Sequence, residues 1–125
     1  DVGCGSGSFL SVCGEYGWEI SGVDPSEGAV KSAKERYGID IWKGVFEEYD
    51  QEERFDCITF FGIEHLQDPM QALRRTTTLL EPNGIVMFEA PSADSFLLDY
   101  VIRFPFEITR FIEAGRHYLF FSVPL

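Results

Sequence analysis

The sequence has little positive charge, no long apolar run and few cysteines. Ten lysines and arginines stand against 21 aspartates and glutamates, which gives a formal charge of −11. Nucleic acid and anionic membrane surfaces bind through clustered basic side chains, so a chain this acidic is a poor partner for either. No stretch reaches the roughly 18 apolar residues of a membrane helix. We therefore expect no nucleic-acid partner and no membrane insertion.

The three cysteines, Cys4, Cys13 and Cys57, are an odd number and lack the paired spacing of zinc ligands. Reduced thiols in a cytoplasmic protein are the simplest interpretation. Acidic and histidine side chains are close together between residues 56 and 68, but the first of them begins a predicted strand that separates it from the others. We therefore expect no metal site and a cytoplasmic location.

The 125 residues suffice for one domain with a sizeable core, and a hydrophobic content of 45% argues against disorder. Segments of strand length alternate with segments of helical periodicity. Strands are predicted at residues 18–23, 39–43, 55–61 and 85–90, and helices between residues 8 and 17, between 25 and 38, and from Asp68 onward. This alternation predicts an α/β fold, a doubly wound and mostly parallel sheet with helices on both faces.

Two further segments carry weaker predictions. Residues 82–84, Pro-Asn-Gly, predict a turn before the strand at 85–90. Beyond residue 91 the pattern loosens: residues 96–104 suggest a helix, and residues 118–123 suit either a strand or the edge of a pocket lid.

The most informative stretch is the first seven residues, Asp1-Val2-Gly3-Cys4-Gly5-Ser6-Gly7, where an acid precedes three alternate glycines. Glycine has no Cβ, so a ligand can approach the backbone, and N–H groups at the following helix start can bind anionic or polar atoms. A dinucleotide-binding fingerprint would place the third glycine at position 8, which is Ser8. Taken alone, this glycine loop is compatible with a ligand site and with a turn that binds nothing.

Asp24 follows the predicted strand at residues 18–23, at the sheet edge where the glycine loop also lies. A carboxylate can accept hydrogen bonds from the two hydroxyls of a ribose. An aspartate just before Pro25 and Ser26 is equally compatible with an ordinary helix N-cap. Only the combination with the glycine loop favours the ligand-binding interpretation.

Several segments, in this order and spacing, resemble the class I S-adenosylmethionine (SAM)-dependent methyltransferases. The glycine loop resembles motif I, and residues 22–26 resemble the acidic loop that follows it. Residues 55–58 with 63–69 are similar to the fourth-strand motif, and residues 79–85 to the helix, turn and strand after it. Residues 116–122 resemble a segment of the small-molecule branch, which includes quinone-pathway and sugar-pathway methyltransferases.

The resemblance implies an incomplete copy of a Rossmann-like methyltransferase domain with SAM as its cofactor. It implies that Gly3, Gly5 and Gly7 line the methionine part of SAM, and that Asp1 binds its amino group directly or through water. It implies that Asp24 holds the ribose.

The resemblance also implies the remaining cofactor contacts. Pro25 or Ser26 would flank the adenine, and Val45-Phe46 would cover its edge, although this loop lacks the aspartate that the family often has there. Phe61-Gly62, at the end of the fourth-strand motif, would face the carboxylate or sulfonium side of the cofactor.

Two histidines are the only side chains expected to titrate near neutral pH. His65 is either a general base for an acceptor hydroxyl or a structural residue that hydrogen-bonds the loop before Asp68. His117 is a second candidate, next to Arg116, that could shape the acceptor pocket. Neither base is required, because the sulfonium of SAM is already activated and alignment supplies most of the rate effect.

The resemblance therefore implies methyl transfer to a small-molecule acceptor, most readily an oxygen. Residues 1–90 would form the cofactor-binding core and residues 91–125 the acceptor side. A SAM-binding interaction module without turnover remains an alternative, as does an NAD(P)-dependent oxidoreductase, which Ser8 disfavours. Because the family's first strand would precede Asp1 and its last strands are missing, we expect a piece of a longer protein. The sequence does not predict an oligomeric state.

Overall fold

A computed structural model describes residues 1–50 and 52–90 of the chain. Helices and strands alternate in chain order: α1 (Ser8–Glu15), β1 (Val23–Asp24), α2 (Glu27–Tyr37), β2 (Trp42–Lys43), β3 (Phe55–Phe61), α3 (Pro69–Leu79) and β4 (Leu80–Glu89). Short 3-10 turns follow β2, at Phe46–Glu48, and β3, at Ile63–His65. The predictions that fall on residues 91–125, His117 included, lie outside the described residues.

Every strand pairing among the described residues is parallel, and Val2 joins the strands into one sheet. β1 pairs with β2 and β3 pairs with β4, while Val2 bridges Val23 on one side and Phe60 on the other. The spatial order is therefore β2, β1, Val2, β3, β4. After Val2 the chain forms β1 and β2 on one side of it and then β3 and β4 on the other side. The strand order therefore reverses at Val2. In open α/β sheets this switch point, at the carboxyl ends of the strands, is where ligands bind.

Helices pack on both faces of the sheet, as the sequence predicts. One apolar cluster joins β3 to α3 and includes Ile58, Phe60, Ala72 and Leu79. A second cluster lies between α1 and α2 and consists of Cys4, Leu10, Ala33 and Ile41. Neighbouring residues Ile41 and Trp42 contact different clusters, as the alternation of side chains along a strand requires. Each face of the sheet is thus covered by its own helices.

The first two predicted strands are shorter than the sequence suggests. The strand predicted at 18–23 is observed as Val23–Asp24, and the one predicted at 39–43 as Trp42–Lys43. A strand forms only where a neighbour supplies hydrogen bonds, and in the described chain Val2 is the one residue that bridges β1 to the other half of the sheet. The third strand matches its predicted bounds.

The turn predicted at residues 82–84 lies inside β4. Phe55 pairs with Leu80 and Cys57 pairs with Ile85, so residues 81–84 lie opposite Asp56 alone. Asn83 has a φ of 70°, as its turn requires. The turn chemistry was therefore predicted correctly, but the strand continues through it as an irregularity.

Candidate cofactor site

The three glycines of the loop have left-handed backbones but different surroundings. Their φ angles are 69° at Gly3, 54° at Gly5 and 77° at Gly7, a region that only glycine enters at little cost. A Cβ placed on Gly3 or Gly5 would meet no atom within 4 Å, whereas one on Gly7 would lie 3.4 Å from Ala33 Cβ. Gly3 and Gly5 therefore border open space, and Gly7 allows α1 to approach α2.

Backbone hydrogen bonds fix the loop to β1. The N–H groups of Gly3 and Cys4 donate to the carbonyl of Val23 at 2.9 and 3.2 Å, and the Gly7 N–H donates to the carbonyl of Cys4 at 3.0 Å. Burial raises the pKa of the Cys4 thiol to about 11, so this side chain is an uncharged part of the core at neutral pH. The inner side of the loop is thus packed, and its outer side is left for a ligand.

The Asp24 carboxylate connects the loop to the start of α2. One of its oxygens accepts from the Gly5 N–H and the other from the Ser26 N–H, both at 2.8 Å. The α2 N-cap is Ser26, whose hydroxyl oxygen accepts from the Ala29 N–H at 3.3 Å. The N-cap interpretation of Asp24 is therefore wrong. Asp24 lies at the sheet edge with 8% of its surface exposed.

The Asp1 carboxylate is held from the opposite side of the loop. The Thr59 hydroxyl donates to Asp1 Oδ1 at 2.7 Å, and the Thr59 carbonyl accepts from the Val2 N–H at 2.9 Å. Thr59 is buried in β3 and was not predicted as a site residue. A single hydroxyl within the apolar run FDCITFF is the signal that could have indicated it.

The start of α1 is open. In the described chain no side chain caps this helix, and its N-cap residue is the left-handed Gly7. The first N–H groups of a helix have no partner within it, and together with the helix dipole they attract negatively charged groups. This helix start lies at the switch point, beside Gly3 and Gly5, where it can receive a carboxylate.

Two aromatic rings form a wall beside the loop. Phe61, at the end of β3, meets Phe9 of α1 edge to face with ring centroids 4.8 Å apart. Phe61 and Phe9 remain 40% and 36% exposed. Phe61 was predicted to lie here, but Phe9 was not, because its spacing in α1 also fits an ordinary apolar face. We call these two residues the aromatic pair.

Gly62 and His65 continue this edge beyond β3. Gly62 has a φ of 111°, and a Cβ there would come within 2.7 Å of the His65 ring. The His65 N–H donates to the Gly62 carbonyl at 2.9 Å, and the imidazole Nε2 lies 3.7 Å from the carboxylate of the buried Glu64. His65 is partly exposed at the edge where an acceptor would lie. Its role as a base stays a prediction.

The predicted adenine residues divide into exposed and buried side chains. Pro25, Ser26 and Val45 are exposed at the carboxyl edge. Phe46 instead belongs to the core: its ring packs against Phe60 with centroids 5.6 Å apart, and 5% of its surface is exposed. Its side chain therefore supports the loop from within, and that of Val45 faces outward.

Between residues 1 and 90, leaving out residue 51, no three or more His, Cys, Asp or Glu side chains lie together as a metal would require. In the same part of the chain no helix has both the length and the hydrophobicity of a membrane crossing.

The fold and the loop define a class: a doubly wound domain with an open glycine loop at its switch point. A family model for the methyltransferase domain matches residues 1–123, and the chain belongs to this family. The oxidoreductase alternative is not supported.

Curated relatives include ubiquinone biosynthesis O-methyltransferases. The protein from Bradyrhizobium diazoefficiens is 32% identical over 93% of this chain and 56% of its own length. The protein from Actinobacillus pleuropneumoniae is 32% identical over 70% of this chain and 43% of its own. The chain thus spans about half the length of these relatives.

Solved structures share the fold. A SAM-dependent methyltransferase from Thermotoga maritima has a TM-score of 0.76 at 24% identity, covering 98% of this chain and 55% of that one. One from Bacteroides fragilis, in complex with S-adenosyl-L-homocysteine (SAH), has a TM-score of 0.61 at 30% identity, covering 69% and 38%. The predicted Rossmann-like fold is confirmed.

Proposed function

We propose that the chain is the cofactor-binding part of a SAM-dependent methyltransferase that methylates a hydroxyl group on a small molecule. The observation that carries the proposal is that Asp24 binds the Gly5 N–H of a glycine loop whose opposite side is open, at the switch point of the sheet. The domain division at residue 90 and the small-molecule acceptor are part of this proposal. So are a cytoplasmic location and the absence of a nucleic-acid partner.

The residues at this edge suit the parts of SAM. The open space over Gly3 and Gly5 admits an extended chain against the backbone. The uncapped start of α1 suits a carboxylate, the Asp1 carboxylate suits an amino group, and Asp24 suits a ribose diol. Val45, Pro25 and Ser26 offer exposed surface for the adenine. When bound, SAM supplies a methyl group made electrophilic by its positively charged sulfur.

The chain's own residues would orient the reactants and move one proton. The aromatic pair borders the space beside the loop and would exclude water from it. His65 would take the proton of the acceptor hydroxyl on an imidazole nitrogen. We then expect His65→Gln to lower kcat while the affinity for SAH stays the same. An unchanged kcat would assign the reaction to alignment alone.

The preference for oxygen is supported by the curated relatives, whose names describe O-methyltransferases of ubiquinone biosynthesis. The exposed rings of Phe9 and Phe61 offer a flat apolar surface, which suits an acceptor that itself carries a ring. A hydroxyl on an aromatic ring is therefore the acceptor class that we propose.

Two measurements on the purified protein test the proposal. Isothermal titration with SAM and SAH should show binding of one molecule per chain, and labelled methyl should pass from SAM to phenolic or catecholic acceptors. Turnover with amines but not with ring hydroxyls would contradict the proposed acceptor class. Binding without turnover on any acceptor would favour the interaction module, and no binding by the folded protein at millimolar SAM would overturn the proposal.

A further inference from the structure

We infer that Asp24 has a second task besides holding a ribose: it latches the glycine loop in the conformation that receives the cofactor. The latch is the pair of hydrogen bonds from Gly5 N–H and Ser26 N–H to the two carboxylate oxygens. Its consequence for cofactor binding rests on the proposed function. Asp24 would thus be a positioning residue for the loop and a ligand residue for the ribose.

The Asp24 carboxylate is held in a well-defined position by short hydrogen bonds and by burial. Both bonds are 2.8 Å long, and the residue is 92% covered although it lies at the edge of the sheet. The Asp24 carbonyl also accepts from the Gly44 N–H at 3.2 Å, which fixes its backbone to the strand beside it. The carboxylate therefore starts from a rigid position and reaches 19 residues back along the chain.

Gly5 is the part of the loop that needs such a partner. Its left-handed backbone, with a φ of 54°, turns the N–H inward toward Asp24 and leaves the opposite side of the loop open. A hydrogen bond to a charged acceptor is stronger than one to a neutral acceptor, so the carboxylate holds this amide more firmly than a carbonyl would. The latch defines the direction in which the loop faces.

The latch is compatible with a bound ribose. A carboxylate has about four acceptor positions, two on each oxygen, and the two N–H groups occupy one on each. One acceptor position on each oxygen remains for the two hydroxyls. An asparagine cannot replace this arrangement, because its NH₂ group would face one of the two N–H donors.

The latch predicts that Asp24 affects parts of the ligand that it never touches. If Asp24 only bound the ribose, its substitution would not change the affinity for a ligand without ribose hydroxyls. If Asp24 also holds the loop, its substitution lowers the affinity for such a ligand as well, because the methionine part of the ligand then contacts a less ordered backbone.

The first test uses the protein without ligand. Hydrogen exchange of the Gly5 amide, followed by NMR, should be about tenfold faster in Asp24→Asn, because a charge-assisted bond is lost. Asp40→Asn is the matched control, since Asp40 pairs with Lys34 on the exposed surface and should leave Gly5 unchanged. Unchanged protection of Gly5 in folded Asp24→Asn would overturn the latch.

A second variant covers the case in which Asp24→Asn does not fold. Serine can accept from an N–H two residues ahead but is too short to reach the loop as well. Asp24→Ser should therefore keep the protection of the Ser26 amide and lose that of Gly5. Equal protection of both amides in this variant would overturn the latch.

The last test measures affinity for SAH and for its 2′,3′-dideoxy analogue. We expect Asp24→Asn to raise the Kd for the analogue about tenfold, although the analogue offers Asp24 no hydroxyl. An unchanged Kd for the analogue would overturn the latch and leave the proposed function intact. Failure of the unaltered protein to bind SAH would overturn the proposed function and with it this consequence of the latch, whereas the exchange rates of Gly5 would still test the latch itself.

Discussion

The starts of α1 and α3 lie at the same edge of the sheet and are built in opposite ways. At α3 the Asp68 side chain accepts from the Gln71 N–H at 2.9 Å, and Pro69 occupies the first position, where no N–H is needed. At α1 a left-handed glycine replaces the cap, and no side chain in the described chain satisfies the first turn. The capped start of α3 stabilises the fold, and the uncapped start of α1 is available to a ligand.

The start of α2 explains how both arrangements coexist. Ser26 supplies the cap of α2, so the neighbouring Asp24 is free to reach the glycine loop. The loop is tied by Asp24 on one side and by the Thr59 contact to Asp1 on the other. The open helix start is therefore surrounded by fixed groups, which is the preorganisation that a binding site needs.

The largest effect should come from filling the open side of the loop. Gly5→Ala places a methyl group where the ligand would lie, and we expect the affinity for SAH to fall about 30-fold, a typical cost of overpacking. Gly38→Ala is the matched control: Gly38 ends α2 with a φ of 72°, and a Cβ there also meets nothing within 4 Å. Both variants carry the same backbone strain of about 1–2 kcal/mol. Equal losses of affinity, measured by titration calorimetry, would contradict a ligand site at Gly5.

The next effect concerns the closed helix start. Asp68→Ala should lower the free energy of unfolding by about 1 kcal/mol, because α3 loses its cap. Asp68→Asn should restore most of it, since asparagine caps equally well. Neither variant should change the affinity for SAH, and denaturant unfolding combined with calorimetry checks both statements. If Asp68→Ala lowered the affinity for SAH and left the free energy of unfolding unchanged, the two helix starts would not differ in the way that we describe.

A smaller effect is expected at the aromatic pair. Phe9→Leu removes the ring that meets Phe61, and we expect the KM for a ring-bearing acceptor to rise a few-fold, equivalent to about 1 kcal/mol. The Kd for SAH should stay the same. Phe88→Leu serves as the control, because Phe88 is an exposed ring on β4 that the proposed site does not use. An increase of KM in both variants would count against a specific wall.

The smallest effect concerns the inner side of the loop. Burial raises the pKa of Cys4 from 9.0 to about 11, so at pH 8 its thiolate fraction is small. Iodoacetamide should modify Cys4 more slowly in the folded protein than in the denatured one. Because the thiol pKa is higher in the folded chain than in the unfolded one, the buried neutral thiol of Cys4 contributes fully to stability below pH 9. This contribution is lost as the pH rises to about 11. Equal modification rates would contradict a packed inner side.

The sequence predicts the local features of this molecule well. The run Phe55–Phe61 is mostly apolar and was predicted with its observed bounds. Asp68 and Pro69 act within one turn of their own helix, so their role follows from neighbouring residues. The glycine loop and its resemblance to motif I led to the correct family because that signal also lies within seven residues.

The features that were missed depend on distant parts of the chain. The lengths of β1 and β2 depend on which strands pair with them, and the tie between Asp1 and Thr59 spans 58 residues. Val45 and Phe46 follow each other in a loop without periodicity, so the sequence gives no rule for which side chain faces the core. The role of Asp24 toward Gly5 could not be predicted because two explanations, ribose ligand and N-cap, already fitted its position.

We propose that the glycine loop and Asp24 form one cofactor site, and amide chemical shifts during a titration with SAH are the sharpest test of this proposal. We expect saturable binding with the largest shifts at residues 3–9, 24, 26 and 45, and none of comparable size at the start of α3. No saturation of the folded protein at millimolar SAH, or shifts concentrated away from the glycine loop, would contradict it.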